Sequence, residues 1–171
     1  MEIHKYEKVW LAGALLLIVG LIATVSYGAV GAGIEMVGDE GGQVDPASLD
    51  EHPKFGEPGT YQTGEDEYDV YVIAQQFSFE PGTSEPIRVP ADSTVTLHVT
   101  SADVIHGFEV VGTNANTMAV PGQVATITIE VDEPGEYGLL CNEYCGSAHH
   151  AMEGSLEVVP QSEWNESMVV N

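Results

Sequence analysis

The sequence predicts a mainly β protein, a Greek-key sandwich or barrel with one N-terminal transmembrane helix, and three observations carry that expectation. An uncharged, strongly apolar run fills positions 9–34. From Glu67 onward, short stretches alternate apolar and polar residues with period two, punctuated by Pro-Gly pairs. The charge is lopsided: 27 Asp and Glu stand against 4 Lys and Arg in 171 residues, a formal net charge of -23. Binding to phosphates needs clustered bases, so nucleic acid is excluded as a partner.

Residues 1–8 form a short N-terminus in which Glu2, Lys5, Glu7 and Lys8 cancel, so the part after the apolar run carries the whole negative charge. As a helix the run 9–34 would be about 39 Å long against a hydrocarbon core of about 30 Å. A cleaved signal peptide is the rival reading, but its apolar region is normally about 7–15 residues, so a retained anchor is expected. Lys5 and Lys8 precede the span, and Glu35, Asp39 and Glu40 follow it. The excess of bases before the span places the N-terminus in the cytoplasm and the acidic remainder on the outer face. Trp10 and Tyr27 fall near the two ends, where amphipathic rings favour the headgroup level. The span contains no ionisable side chain, so it anchors rather than conducts.

Residues 35–65 are rich in Gly, Pro and acids and show little hydrophobic periodicity, which reads as an extended linker. Residues 66–160 form the β domain. Tyr68, Val70 and Val72, then Val95, Leu97 and Val99, mark one face of two strands. Further strands are expected at 86–89, 107–111, 124–131, 136–140 and 154–159, separated by Pro81-Gly82, Pro121-Gly122 and Pro134-Gly135. Residues 161–171 are left as a C-terminal tail.

The last two strands are joined by a loop from Cys141 to Met152 with the spacing C-x3-C-x3-H-x2-M. Two thiols, an imidazole and a thioether in twelve positions can converge on one point if the loop wraps a metal. Thiolate and thioether select copper, and Met is unusual around zinc. Separately, each residue has an ordinary explanation. The two Cys could form a local disulfide in an oxidising compartment, Met152 could fill core space, and a lone His is more often a surface group. A mononuclear blue copper site takes one Cys with two His and a weak Met, leaving the second Cys without a place. Two bridging thiolates can hold two coppers, and a second His must then come from elsewhere. His106, between two strands and flanked by Ile105 and Phe108, is the best candidate. His149 is preferred to His150 because it repeats the four-residue step from Cys141 to Cys145; His4, His52 and His98 sit on the wrong side, in the linker and on a polar strand face.

These residues resemble subunit II of the heme-copper terminal oxidases, which carries a binuclear copper A centre in a cupredoxin domain, and most of all the ba-type. The resemblance rests on Glu7-Lys8-Val9-Trp10-Leu11-Ala12, Asp103-Val104-Ile105-His106-Gly107-Phe108, Gly112-Thr113-Asn114, Pro121-Gly122, Pro134-Gly135-Glu136-Tyr137 and the Cys141–Met152 loop. A single anchor is itself a ba-type feature. The resemblance implies a cupredoxin-like fold. It implies that Cys141 and Cys145 bridge both coppers, that His106 and Met152 complete one, and that His149 with the backbone carbonyl of Glu143 completes the other. Where relatives have Glu at this position its carboxylate helps bind magnesium at the contact with subunit I, so Glu143 leaves an interface magnesium open.

The resemblance further implies an electron-transfer role: electrons come from cytochrome c or a small blue copper protein and pass to heme in subunit I, where oxygen becomes water. A membrane-anchored blue copper carrier and a disulfide-bonded structural sandwich are the rivals. The Trp and Tyr cluster used by many mitochondrial-type subunits has no counterpart. Only Phe77 and Phe79 offer exposed aromatics near the copper end, although Phe is more commonly core. Acid spread through linker and domain suits a protein dissolved in multimolar salt, so a haloarchaeal source is expected, in which long-range steering of a donor is largely screened.

Overall fold

The computed structural model describes residues 4–30, 37–38 and 41–170, and the chain divides into two compact units, 1–34 and 35–171. Helix α1 occupies Lys5–Val30, with the Glu7 carboxylate accepting the main-chain N–H of His4 at 2.9 Å to close its first turn. Its described Leu, Ile and Val side chains, from Val9 to Val25, are exposed. A surface of that kind is stable only out of water, and the helix is long and apolar enough to cross a membrane. The expected span began at 9, whereas the helix starts one turn earlier; positions 31–34 lie outside the described residues.

The second unit is a two-sheet sandwich. Its strands are β1 (Val37–Gly38), β2 (Gly59–Gly64), β3 (Glu67–Gln75), β4 (Ser78–Glu80), β5 (Ile87–Pro90), β6 (Ser93–Ser101), β7 (His106–Val110), β8 (Asn116–Ala119), β9 (Ala125–Val131), β10 (Gly135–Leu140) and β11 (Glu153–Val159). One sheet has the order β1-β9-β6-β3-β2 with β4 on β3, and the other the order β5-β11-β10-β7-β8. The expected alternation is realised in β6, where Val95, Leu97 and Val99 point inward and Thr94, Thr96 and His98 outward. Facing them from the second sheet are Ile87, Val89, Phe108, Leu139, Leu156 and Val158, all buried. Each such side chain removed from water contributes about 1.5–3 kcal/mol. The long β3–β6 pairing is parallel and runs from Glu67↔Thr94 to Ala74↔Ser101, so both strands deliver their ends to the same edge of the sandwich.

Residues 35–65 do not form a bare linker. Within its described part, Val44 donates to the Gly122 carbonyl, Val124 donates to Gly42, and β2 pairs antiparallel with β3. Leu49 and Phe55 are buried with Ile73 and Val124 in a second small core on the outer face of the six-stranded sheet. Two apolar residues in a polar stretch give no periodicity, yet they suffice when the sheet offers Tyr71 edge-on to Phe55 at 5.2 Å. The tail beyond 160 is likewise docked over its described part, with Trp164 edge-on to Tyr68 at 5.5 Å and Val170 donating to the Thr60 carbonyl. Strands β1, β2, β4 and β8 lie outside the expected set: β1, β4 and β8 are two, three and four residues long, and β2 falls in the Gly- and acid-rich stretch that reads as a linker.

Candidate metal centre

Three chain segments meet at one end of the sandwich: the β6–β7 loop before His106, the β10–β11 loop from Cys141 to Met152, and the β3–β4 turn at Gln76 and Phe77. The first two carry the expected donor atoms. Cys141 continues directly from β10, and its main-chain N–H donates to the Met152 carbonyl at 3.2 Å, which closes the loop at its base. A 3₁₀ turn over His149–Ala151 returns the chain, with His149 donating to the Gly146 carbonyl and Met152 to the His149 carbonyl. Gly107 has no side chain because a Cβ there would strike the Asn142 amide.

The structure brings all six predicted positions together. The sulfurs of Cys141 and Cys145 stand 3.7 Å apart with both thiols free, so the disulfide reading does not hold in this structure. Around Cys141 Sγ lie His106 Nδ1 at 3.8 Å and the Glu143 carbonyl oxygen at 3.2 Å. Around Cys145 Sγ lie His149 Nδ1 at 3.6 Å and Met152 Sδ at 3.7 Å. Each sulfur thus has one imidazole nitrogen and one weaker donor beside it. His106, Cys141 and Cys145 alone place their ligand atoms within 4.8 Å of one another. Cys141, Cys145, Met152 and His106 are buried, while His150 is exposed and takes no part. Burial, and then the adjacent Cys141, push the Cys145 thiol up to about 11, so it keeps its proton at neutral pH until a soft cation displaces it.

The sequence reading did not assign a role to Asp103. Its Oδ1 accepts from His106 Nε2 at 2.8 Å and its Oδ2 from the main-chain N–H of Gln76 at 2.8 Å. With Nε2 as the donor, Nδ1 of His106 is left as a lone pair facing the sulfurs, the tautomer a metal ligand requires. Burial opposes ionisation of Asp103, but hydrogen bonds from His106, Gln76 and Val104 outweigh it and hold its carboxyl below the usual range. Of the two aromatics considered, Phe79 is buried edge-on to Phe108 at 5.4 Å, and Phe77 is half-buried beside Gly146. His98 is stacked on Tyr71 at 4.5 Å on the outer sheet face, and His52 lies in the segment packed on that face. The rim over Cys145 is a shallow depression of Val104, Ile105, Met118, Tyr144 and Gly146, with Glu143 its one acid.

Residues 61–159 match the family described as Cytochrome C oxidase subunit II, periplasmic domain. The chain belongs to this family. It is 39% identical over 160 residues to the Cytochrome c oxidase subunit 2 of Thermus thermophilus, covering 91% of this chain and 93% of the relative. A second Thermus thermophilus chain of the same description is 41% identical over 118 residues, 68% of this chain and 85% of the other. A chain of a heme-copper terminal oxidase dimer solved by cryo-EM superposes with a TM-score of 0.70 at 32% identity, over 90% of this chain and 99% of that one. The periplasmic domain of subunit II of the Bradyrhizobium japonicum cytochrome oxidase shares the fold, with a TM-score of 0.51 at 21% identity over 56% of this chain and 86% of that one. This subunit II chain is thus part of a cytochrome c oxidase, a heme-copper oxidase complex, and its apolar helix fits a membrane-anchored protein. The cupredoxin-like sandwich expected for it is the fold observed.

Proposed function

We propose that the chain is the electron-transfer subunit of its oxidase, standing between an outer carrier and heme in subunit I, with a binuclear copper centre in the cluster just described. The single observation that carries the proposal is the balance of donors around two sulfurs at 3.7 Å. Two thiolates, two imidazole nitrogens, a thioether and a carbonyl are a soft set suited to copper and poorly suited to zinc or magnesium. Cys141 and Cys145 would bridge, His106 with Met152 would complete one metal position and His149 with the Glu143 carbonyl the other. Each of those pairs takes one donor from beside Cys141 and one from beside Cys145, as two shared sulfurs require. When bound, the copper pair supplies a one-electron acceptor whose charge is spread over two metals.

The chain's own residues do the rest. Asp103 fixes the His106 ring, the Cys141–Met152 main-chain bond fixes the loop, and the closed sandwich under Phe108 keeps water from the sulfurs, so few groups rearrange when charge changes. The bases Lys5 and Lys8 support an N-terminus in the cytoplasm and a β domain on the outer face. The single helix supports the ba-type, and the acid surplus supports a haloarchaeal source. A cytochrome c or a small blue copper protein fits as donor, and the exposed Glu143 carboxylate is available to an interface magnesium. Copper stoichiometry with electron paramagnetic resonance on the full-length chain in detergent tests the reading. Two coppers sharing one unpaired electron are expected; one copper with an intense blue band would replace it by a membrane-anchored blue copper carrier.

A further inference from the structure

The β3–β4 turn donates no ligand atom, yet it touches both segments that do. Gln76 donates a hydrogen bond to each of them. Its main-chain N–H goes to Asp103 Oδ2 at 2.8 Å, the carboxylate whose other oxygen holds the His106 ring. Its side-chain Nε2 donates to the main-chain carbonyl of Cys145. The next residue of the loop, Gly146, lies against the same turn. Gly146 has φ +140, and a Cβ there would lie 2.7 Å from Gln76 Nε2 and 3.0 Å from the Phe77 ring. Glycine therefore lets the loop lie flat against the turn.

We infer that Gln76 is a positioning residue for the metal centre, a clamp that fastens the Cys145 loop to the strand edge holding His106. Its relation to copper rests on the reading proposed above; its hold on the loop does not. The Cys145 carbonyl, part-buried next to a candidate ligand sulfur, is reached by no main-chain N–H among the described bonds. Gln76 supplies it from a separate strand pair, so His106 and Cys145, 39 positions apart, share one support. Partners of this outer kind typically change metal affinity by about 10–100-fold.

The test uses the full-length chain with Gln76→Leu, which keeps the main-chain N–H to Asp103 and loses the side-chain donor, and Gln76→Lys, which restores a donor of sufficient reach. In the metal-free, reduced protein, alkylation of Cys145 followed by mass spectrometry should be about fivefold faster in Gln76→Leu, the factor expected for loss of one ordinary hydrogen bond. Loaded with copper, the same variant should lose metal to a cuprous chelator about tenfold faster, with shifted hyperfine lines and a melting temperature lowered by no more than about 3 °C. Gln76→Lys should return both rates towards the parent. Parent-like alkylation and metal release in Gln76→Leu would overturn the clamp. Equal acceleration in Gln76→Lys would overturn it too, because the effect would then not depend on the donor. A parent chain that binds no copper pair would remove the functional reading alone, since the alkylation rates still decide the clamp.

Discussion

Cys145 joins the donor cluster to the turn that supports it. Its sulfur faces Cys141, His149 and Met152, and its carbonyl faces Gln76. In the binuclear centre proposed above, replacing one sulfur by oxygen would leave too few soft donors for two metals, so Cys145→Ser should abolish the mixed-valence resonance and bring copper to one or fewer per chain. His150→Ala is the matched control and should leave the spectrum unchanged, because that ring is exposed and outside the cluster. The loop's candidate ligands are legible in sequence because a soft donor set within twelve positions must be near itself in space. Asp103 and Gln76 are not, since one acid in a chain this acidic and one glutamine in a turn carry no pattern. Asp103 was at least within reach, three positions before His106; Gln76 acquires meaning only from a fold that puts β3's end against the loop.

Among elements, the segment over the outer sheet face carries the clearest consequences. Phe55 is 2% exposed and fills the small core between this segment and Ile73, Val124 and Tyr71. Phe55→Ala should therefore cost about 3 kcal/mol in denaturant unfolding and open the segment to proteolysis. The copper spectrum should survive, because that core lies outside the sandwich interior. Tyr71, packed between Phe55 and His98, and its neighbour Tyr61 both have phenols raised above their ordinary value, chiefly by burial and then by the acids Asp69 and Glu57. A raised phenol means folding favours the neutral form. That contribution is intact below about pH 10 and is lost as pH climbs through the folded-state value. Chemical denaturation from pH 8 to 11 should show stability falling above about pH 10, less steeply in Tyr71→Phe.

At the scale of the whole molecule the charge dominates. None of the described acids is buried, so the charge of the described residues lies on the surface of a chain whose formal net charge is -23. The exposed Arg88–Glu157 pair at 2.8 Å does little to offset it. At about 0.1 M salt the screening length is about 10 Å and repulsion acts across many neighbouring acids; at about 1 M it is about 3 Å and acts across few. The melting temperature of the full-length chain should rise steeply with sodium chloride, by about 3 °C for each kcal/mol of repulsion relieved. A flat response from 0.1 to 2 M would show that the acids are spaced too widely to repel one another.

The sequence by itself determined the apolar helix, the β class and the donor set, because each is a local pattern: an uninterrupted apolar run, a period of two, and soft ligands a few positions apart. Only the tertiary structure decided that residues 41–64 belong to the β unit, that His106 meets the loop with Nδ1 forward, and that the β3–β4 turn supports the centre. Most of those depend on contacts between residues far apart in the chain, 27 positions for Gln76 and Asp103 and 69 for Gln76 and Cys145. Such contacts are set by which strands pair and in what register, and a one-residue slip of β3 against β6 would carry Gln76 to the other side of the sheet.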